Sequence, residues 1–250
     1  MRILTNSKMK KQIIVLALGL LAAPVATQAI EVEKEKLTVN ADDNTVEEVI
    51  ASYIKAIGGE AKMKAVRNME MDMEAEIQGM KLMITGVSDQ ENSRLLNVTE
   101  MNGNVVSKTV VKDGAGTVTA MGQEQKLTDE QVATVVKNQV YLFRELFLDQ
   151  LGITVTYEGT EELEGEQVHK LAFNTGGEGN STEYYSVETG LKVQTKSDAA
   201  GTIKYLDYQE HDGLLMPMTM VISSNMMPMP LEAKVTSIKF NQELDDSIFN

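Results

Sequence analysis

The chain has 250 residues, 37 acidic against 23 basic side chains, no cysteine and no tryptophan, for a formal charge of −14. A surface this acidic repels phosphate backbones and anionic lipid headgroups, which argues against nucleic acid as a partner and against flat adsorption to a membrane. The lack of cysteine excludes a disulfide and a lipid-modified cysteine.

Arg2, Lys8, Lys10 and Lys11 precede an uncharged apolar run from Ile13 to Val25, and Thr27-Gln28-Ala29 supplies a small-x-small cleavage site. This is the pattern of a secretory signal peptide over residues 1–29. The run is too short to span a bilayer, which takes roughly 20 apolar residues, and no later stretch replaces it. The mature part is therefore expected to lack a transmembrane segment and to reside in the bacterial periplasm, with secretion further outward as the alternative. Without the four basic residues of the leader, 19 Lys and Arg face 37 Asp and Glu, a charge of about −18. Residues 30–43 carry five acids and little apolar pattern, and read as a mobile arm. Residues 44–250 are expected to form a single domain around one core.

The first element of that domain reads as a helix. Asn44 or Thr45 can cap it, Val46, Ile50, Tyr53, Ile54 and Ile57 share one face, and Gly58-Gly59 ends it. A short helical turn over 60–66 follows. After Arg67 the period changes to two: Met69, Met71 and Met73 alternate with Glu70, Asp72 and Glu74, which predicts a half-buried strand. Further strands are predicted near 80–88, 93–101, 105–112 and 117–121, separated by the turn pairs Gln78-Gly79, Asn102-Gly103 and Asp113-Gly114. Thr128 with Gln131 forms a capping-box pattern, and Val132, Val135, Val136, Val140, Phe143, Phe147 and Leu151 trace one apolar stripe, predicting an amphipathic helix over roughly 129–150. A second run of strands is predicted at 153–158, 167–174, 182–187, 191–197, 202–209, 214–222 and 231–240. About 11–12 antiparallel strands with helical insertions exceed one flat layer. The expected fold is mainly β, a sheet that curls into a barrel or an incomplete barrel with helices closing its concave side.

Methionine marks the candidate site. Of 16 methionines, 14 lie beyond the leader, and they recur at alternating strand positions: Met69, Met71 and Met73, Met80 and Met83, Met216, Met218 and Met220, with Met226, Met227 and Met229 in a proline-rich loop. Three readings are open. The side chains are core fillers, or they line a cavity that adapts to apolar ligands because the thioether chain is flexible and polarizable, or the Met-x-Met spacings hold Cu(I), for which thioethers are soft donors.

Catalytic chemistry is poorly supplied. His169 within a strand and His211 beside a turn are the only imidazoles, and no metalloprotease, nucleophile-elbow, phosphate-loop or dinucleotide motif occurs. His211 reads as an ordinary turn residue, and carboxylate pairs such as Glu161-Glu162 and Asp245-Asp246 read as solvated. The aromatic residues around Glu183-Tyr184-Tyr185 are accounted for by strand propensity. An enzyme is not expected, and neither is a cofactor or a catalytic residue.

Several segments carry a family resemblance: Tyr53-Ile54-Lys55-Ala56-Ile57-Gly58-Gly59, Val111-Lys112-Asp113-Gly114, the stretch from Glu183-Tyr184-Tyr185 through Thr189-Gly190-Leu191-Lys192-Val193, and Asp246-Ser247-Ile248-Phe249. With the order of helix, meander, amphipathic helix and second meander, the chain over about 45–250 resembles the LolA/LolB-type envelope lipoprotein carriers, in particular the LolA-like secreted proteins of Bacteroidetes. The resemblance implies an antiparallel unclosed β-barrel, a half-barrel whose concave apolar face is covered by helices and receives acyl chains. Where those carriers place a cavity arginine before a Pro-Asn pair, this chain has Ser88-Asp89-Gln90-Glu91-Asn92, and Arg94 beyond it could approach the same place.

Two functions are consistent with these features. In the first, a periplasmic carrier or chaperone shields a lipid, a lipoprotein acyl chain or another apolar ligand, with Met69, Met71, Met73, Leu82, Ile84, Met216, Met218 and Met220 lining the cavity and Val136, Val140, Phe143 and Phe147 forming the lid. In the second, the interior is filled by its own side chains, and a partner envelope protein docks on the lid or on the Met226 to Pro230 loop.

Overall fold

The computed structural model describes residues 45–176, 179–197, 201–225, 227 and 229–250. The expected leader, the acidic arm, Asn44, Met226 and Pro228 lie outside the described residues.

The first meander is β1 (Asn68–Ile77), β2 (Met80–Asp89), β3 (Arg94–Met101), β4 (Asn104–Lys112), β5 (Ala115–Ala120) and β6 (Gln123–Lys126). The second is β7 (Thr154–Leu163), β8 (Glu166–Asn174), β9 (Ser181–Ser186), β10 (Lys192–Ser197), β11 (Gly201–His211), β12 (Leu214–Ser223) and β13 (Leu231–Phe240). All belong to one antiparallel sheet in the order β6-β5-β4-β3-β2-β1-β13-β12-β11-β10-β9-β8-β7. Every neighbour in the sheet is also a neighbour in the chain, except where β1 meets β13 and joins the two meanders. β6 and β7 are the two ends, so the sheet is an unclosed barrel and the connection between them must cross its open side. Alternation missed β6 because Gln123–Lys126 is polar and exposed on both faces.

Two helical regions cover the concave face. Helix α1 (Val46–Ile57) starts with a reciprocal cap: Glu48 N–H donates to Thr45 Oγ1 at 3.3 Å, and Thr45 N–H donates to Glu48 Oε2 at 3.0 Å. Val49, Ile50, Tyr53 and Ile57 of α1 are buried in the main core, and α2 (Glu60–Lys64) adds Met63. No helix among the described residues is long and apolar enough to cross a membrane.

The second region corrects the single helix predicted over 129–150. Helix α3 (Asp129–Val135) passes into a π-helical turn, Val136–Val140, and the chain becomes extended at Tyr141 (φ −79°, ψ 102°). A 3-10 turn, Arg144–Leu146, and a short helix α4 (Leu148–Leu151) follow. The apolar stripe serves two separate clusters. Val132, Val135 and Val140, with Val136 beside them, pack on Leu95 and Val111, whereas Phe143 and Leu151 belong to the main core. A straight helix of that length would extend about 33 Å, at 1.5 Å per residue, and could not seat both halves on a curved floor.

One irregularity matters for the faces. The register between β1 and β13 shifts between Asp72 and Met73, so that Asp72 faces Ser237 and Met73 faces Val235. Val235 and Ile238 both reach the main core although strict alternation would separate them.

Helix α1 ends on Gly58 at φ 138°, and a Cβ there would stand 2.4 Å from the carbonyl oxygen of Gly213 in the β11–β12 turn. Gly58→Ala is expected to destabilise the fold by about 1–3 kcal/mol through strain and this backbone clash. The check is a urea unfolding curve; an unchanged midpoint would show that α1 does not dock on that turn.

Candidate functional site

The face that carries α1 and residues 127–151 divides into an apolar and a polar part. On the apolar part Met71, Met73, Leu82, Ile84, Met216 and Met220 are all buried in the main core, and Met69 and Met218 pack against it partly buried. Met73 lies opposite Ile84 on one side and Val235 on the other, and Met220 lies opposite Ala233, so the methionines of β1 and β12 flank β13. Above them Phe143 is buried in the same core and Phe147 packs on it. Val136 and Val140, expected beside these two, instead cover β3 and β4 with Leu95 and Val111. Met218 Sδ also meets His211 Nε2 at 3.2 Å, so His211 is more than a turn residue. In the proline-rich loop Met227 packs on the main core while Met229 is 51% exposed.

The polar part was missed by sequence reasoning. The 3-10 turn of the crossing segment delivers Arg144 and Glu145, which are 8% and 6% exposed, onto Glu183 of β9, which is 2% exposed, and Lys192 of β10. Arg144 pairs with Glu183 and also donates to Asn138 and, at 3.0 Å, to Ser181 Oγ. Lys192 Nζ lies 2.5 Å from Glu145 and 2.8 Å from Glu183. Tyr185 Oη donates to Glu183 at 2.5 Å and stands 3.3 Å from Glu145. The Arg144 guanidinium lies 4.7 Å from the Phe173 ring, and Lys192 lies 5.3 Å and 5.5 Å from the Tyr53 and Tyr185 rings. Two cations and two carboxylates thus balance within one buried cluster, each satisfied across the gap between segment and sheet.

The ionisation follows from this arrangement. Burial alone would raise the Glu183 carboxyl, but Lys192 and Arg144 overcome it and hold the group at about 2. Burial would likewise lower Lys192, yet the two carboxylates push it up. Burial pushes the Tyr53 and Tyr185 hydroxyls well above the ordinary phenol range, with Glu183 and Glu145 adding to it, so both stay neutral. β11 adds two more phenols: Tyr205 Oη donates to Thr195 Oγ1 at 3.1 Å and Tyr208 Oη to the Lys192 carbonyl at 2.7 Å. Both pack on the main core although they are three residues apart; Asp207 between them has φ 54°.

Arg94 does not approach the concave face. Leu95, its neighbour, packs under α3, and Arg94 points the other way with Leu96, onto the C-terminal turn Asp246–Phe249. There it pairs with Asp89 at 2.5 Å and with Asp246, and lies 4.4 Å from the Phe249 ring. Asp246 is solvated as expected, its side chain 76% exposed, and reaches Arg94 from the surface. Asp89 is held low by Asn92 and Arg94 against the opposing effect of burial. A signal for the missed cluster was present: Arg144-Glu145 interrupts the apolar stripe between Phe143 and Phe147, and Glu183 shares strand parity with Tyr185. Among the described residues no group of three or more His, Asp and Glu is arranged to hold a metal ion.

The architecture defines the chain as an unclosed antiparallel half-barrel with a helix-covered concave face. No protein-family model and no curated protein matches it. Among solved structures it is similar to a DUF1329 family protein from Desulfovibrio piger, with a TM-score of 0.52 at 10% identity over 82% of this chain and 97% of that one. A LolA superfamily protein from Nitrosomonas europaea is similar at a TM-score of 0.48 and 11% identity, over 73% of this chain and 89% of that one. At such identities the likeness concerns the fold alone.

Glu183→Gln leaves Arg144 and Lys192 with one carboxylate, and loss of one partner of a buried pair costs about 3–5 kcal/mol. The pH dependence has a definite sign. Because the folded value of about 2 lies below the ordinary 4.5, the contribution of Glu183 is complete above pH 4.5 and is lost as pH falls toward 2. At about 1.4 kcal/mol per pH unit it is on the order of 3 kcal/mol. Urea unfolding between pH 7 and pH 2.5 should show wild type losing more stability on acidification than the variant; parallel losses would contradict the assignment.

Proposed function

We propose that this chain is an exported, non-catalytic carrier or chaperone that acts in the periplasm and shields an apolar or acylated ligand on its concave face. Residues 1–29 serve as the export signal, 30–43 as a free acidic arm, and 44–250 as the single carrier domain. The observation that carries the reading is the concave face itself. Flexible thioethers from two strands lie beneath Phe143 and Phe147, on a crossing segment broken at Tyr141 and held to the sheet by the Arg144-Glu145 turn. A segment with such a break can lift while the sheet stays intact, and the methionines beneath it can repack around a guest. Each buried methylene contributes roughly 0.8 kcal/mol, so one acyl chain can be held without a specific polar contact.

A second reading is supported by a different observation: the lining side chains already bury one another in one cluster, and Met229 is exposed beside the half-buried Met227. In that case the interior stays filled and a partner envelope protein covers the loop.

Native mass spectrometry of protein exported to a bacterial periplasm, followed by solvent extraction, separates the two. The carrier reading predicts a stoichiometric acylated species; a bare mass that persists after incubation with phospholipid and lipopeptide would overturn it. Met218→Glu, at a half-buried position, should cut ligand occupancy at least tenfold in a folded protein, because an uncompensated carboxylate would have to enter the apolar face. Unchanged occupancy would remove Met218 from the lining.

A further inference from the structure

The concave face changes character along the sheet. Toward β3 and β4 it carries hydroxyls and carboxamides, where β1, β2, β12 and β13 carry methionine and aliphatic chains. Thr99 lies directly opposite Ser107, and Asn97 opposite Thr109. These residues share the parity of Leu95 and Val111, which pack under α3 and the π-helical turn, so they face the interior. Thr99, Ser107 and Thr109 are all buried, and the Ser107 hydroxyl, on a residue 2% exposed, has no hydrogen-bond partner among the described residues. Asn97 Nδ2 donates to Gln139 Oε1 of the π-helical turn at 2.9 Å. Gly86, opposite Asn97 on β2, leaves this carboxamide its room, since a Cβ there would stand 3.2 Å from Asn97 Oδ1.

The charges around this patch are already spent. Arg94, Lys108 and Lys112 of β3 and β4 have the opposite parity and reach Asp246 or Asn250 at the C-terminus. On the interior side Arg144 and Lys192 are matched by Glu145 and Glu183, and Lys137 donates to the Thr175 carbonyl at 2.8 Å. Among the described residues, every basic side chain named on this face already has a partner, while an uncharged, buried hydroxyl does not. A carboxylate or phosphate would enter without a cation and against the charge of the whole chain. A hydroxyl or an ester carbonyl would supply the missing partner.

We infer that the β3–β4 end of the concave face, around Ser107 and Thr109, is a headgroup subsite for a neutral amphiphile: an acyl chain on the methionine face, joined to an uncharged head that offers hydroxyl and carbonyl oxygens. The inference rests on the carrier reading and specifies its ligand class. Ser107 supplies a donor, and Thr109 and Asn97 border the same spot. Because these residues are buried, the head enters only when the concave face opens.

The test uses the purified mature protein and displacement of the uncharged fluorophore N-phenyl-1-naphthylamine. The competitors are 1-monooleoylglycerol and oleate, which share one chain and differ in the head. Wild type should bind monooleoylglycerol at least tenfold more tightly than oleate at pH 7.5. The variant Ser107→Ala/Thr109→Val, with its unfolding midpoint checked, should lose roughly tenfold for the glyceride, the scale of a hydrogen bond to a buried group, with fluorophore and oleate binding unchanged. Equal or tighter oleate binding, or a preference that survives the double substitution, would overturn the subsite while leaving the carrier reading in place. If neither the fluorophore nor either lipid binds, the carrier reading fails and the subsite with it.

Discussion

A thirteen-stranded sheet whose ends do not meet has to bring its chain from one end to the other, and this crossing governs the rest of the structure. The segment between β6 and β7 runs over the concave face and would expose either its own apolar residues or the sheet beneath them if it were not held down. What holds it is a buried ionic cluster, with Arg144 and Glu145 above and Glu183 and Lys192 below. Such a cluster is a poor source of net stability, because desolvating four charges costs about as much as their attraction returns. Its effect is positional: the observed seating of the 3-10 turn matches both signs of charge. Phe143 and Phe147 flank the pair and are carried onto the methionine face by the same register.

The break in the crossing segment follows from the same constraint. Valines at one end pack on β3 and β4, while the charged turn and the two phenylalanines reach the main core and β9–β10. The π-helical turn and extended Tyr141 connect the two seats. On the proposed reading they are also where movement would concentrate, since opening the charged turn leaves α3 on its valine cluster. The opposite face is fixed differently, by Arg94 and Phe249 closing the C-terminal turn against β3.

Much of this was legible in the residues. Period-two alternation and glycine turns located twelve of the thirteen strands, the Thr45 and Thr128 caps opened helices where expected, and a curled antiparallel sheet followed from the strand count, its unclosed form from the family resemblance. Illegible features had physical causes. β6 has no apolar face to betray it. The helix over 129–150 is continuous in pattern but not in space, because a stripe records which residues are buried and not against what. Arg94 and Leu95 are both buried, so only the tertiary contacts show which of the two faces inward. The ionic cluster was the largest omission: in a chain with 37 acids, two glutamates that are buried and paired are indistinguishable by type from those that are solvated.

On the proposed reading the concave face opens at residues 141–151 while the sheet remains folded. Hydrogen–deuterium exchange of the mature protein at neutral pH tests it most directly, because exchange distinguishes local opening from global unfolding. Amides in 141–151 should exchange faster than those of β1, β12 and β13, and adding 1-monooleoylglycerol should slow them selectively. Exchange of the segment only at the global rate, with no response to an apolar ligand, would contradict it and leave the face as a permanently closed core.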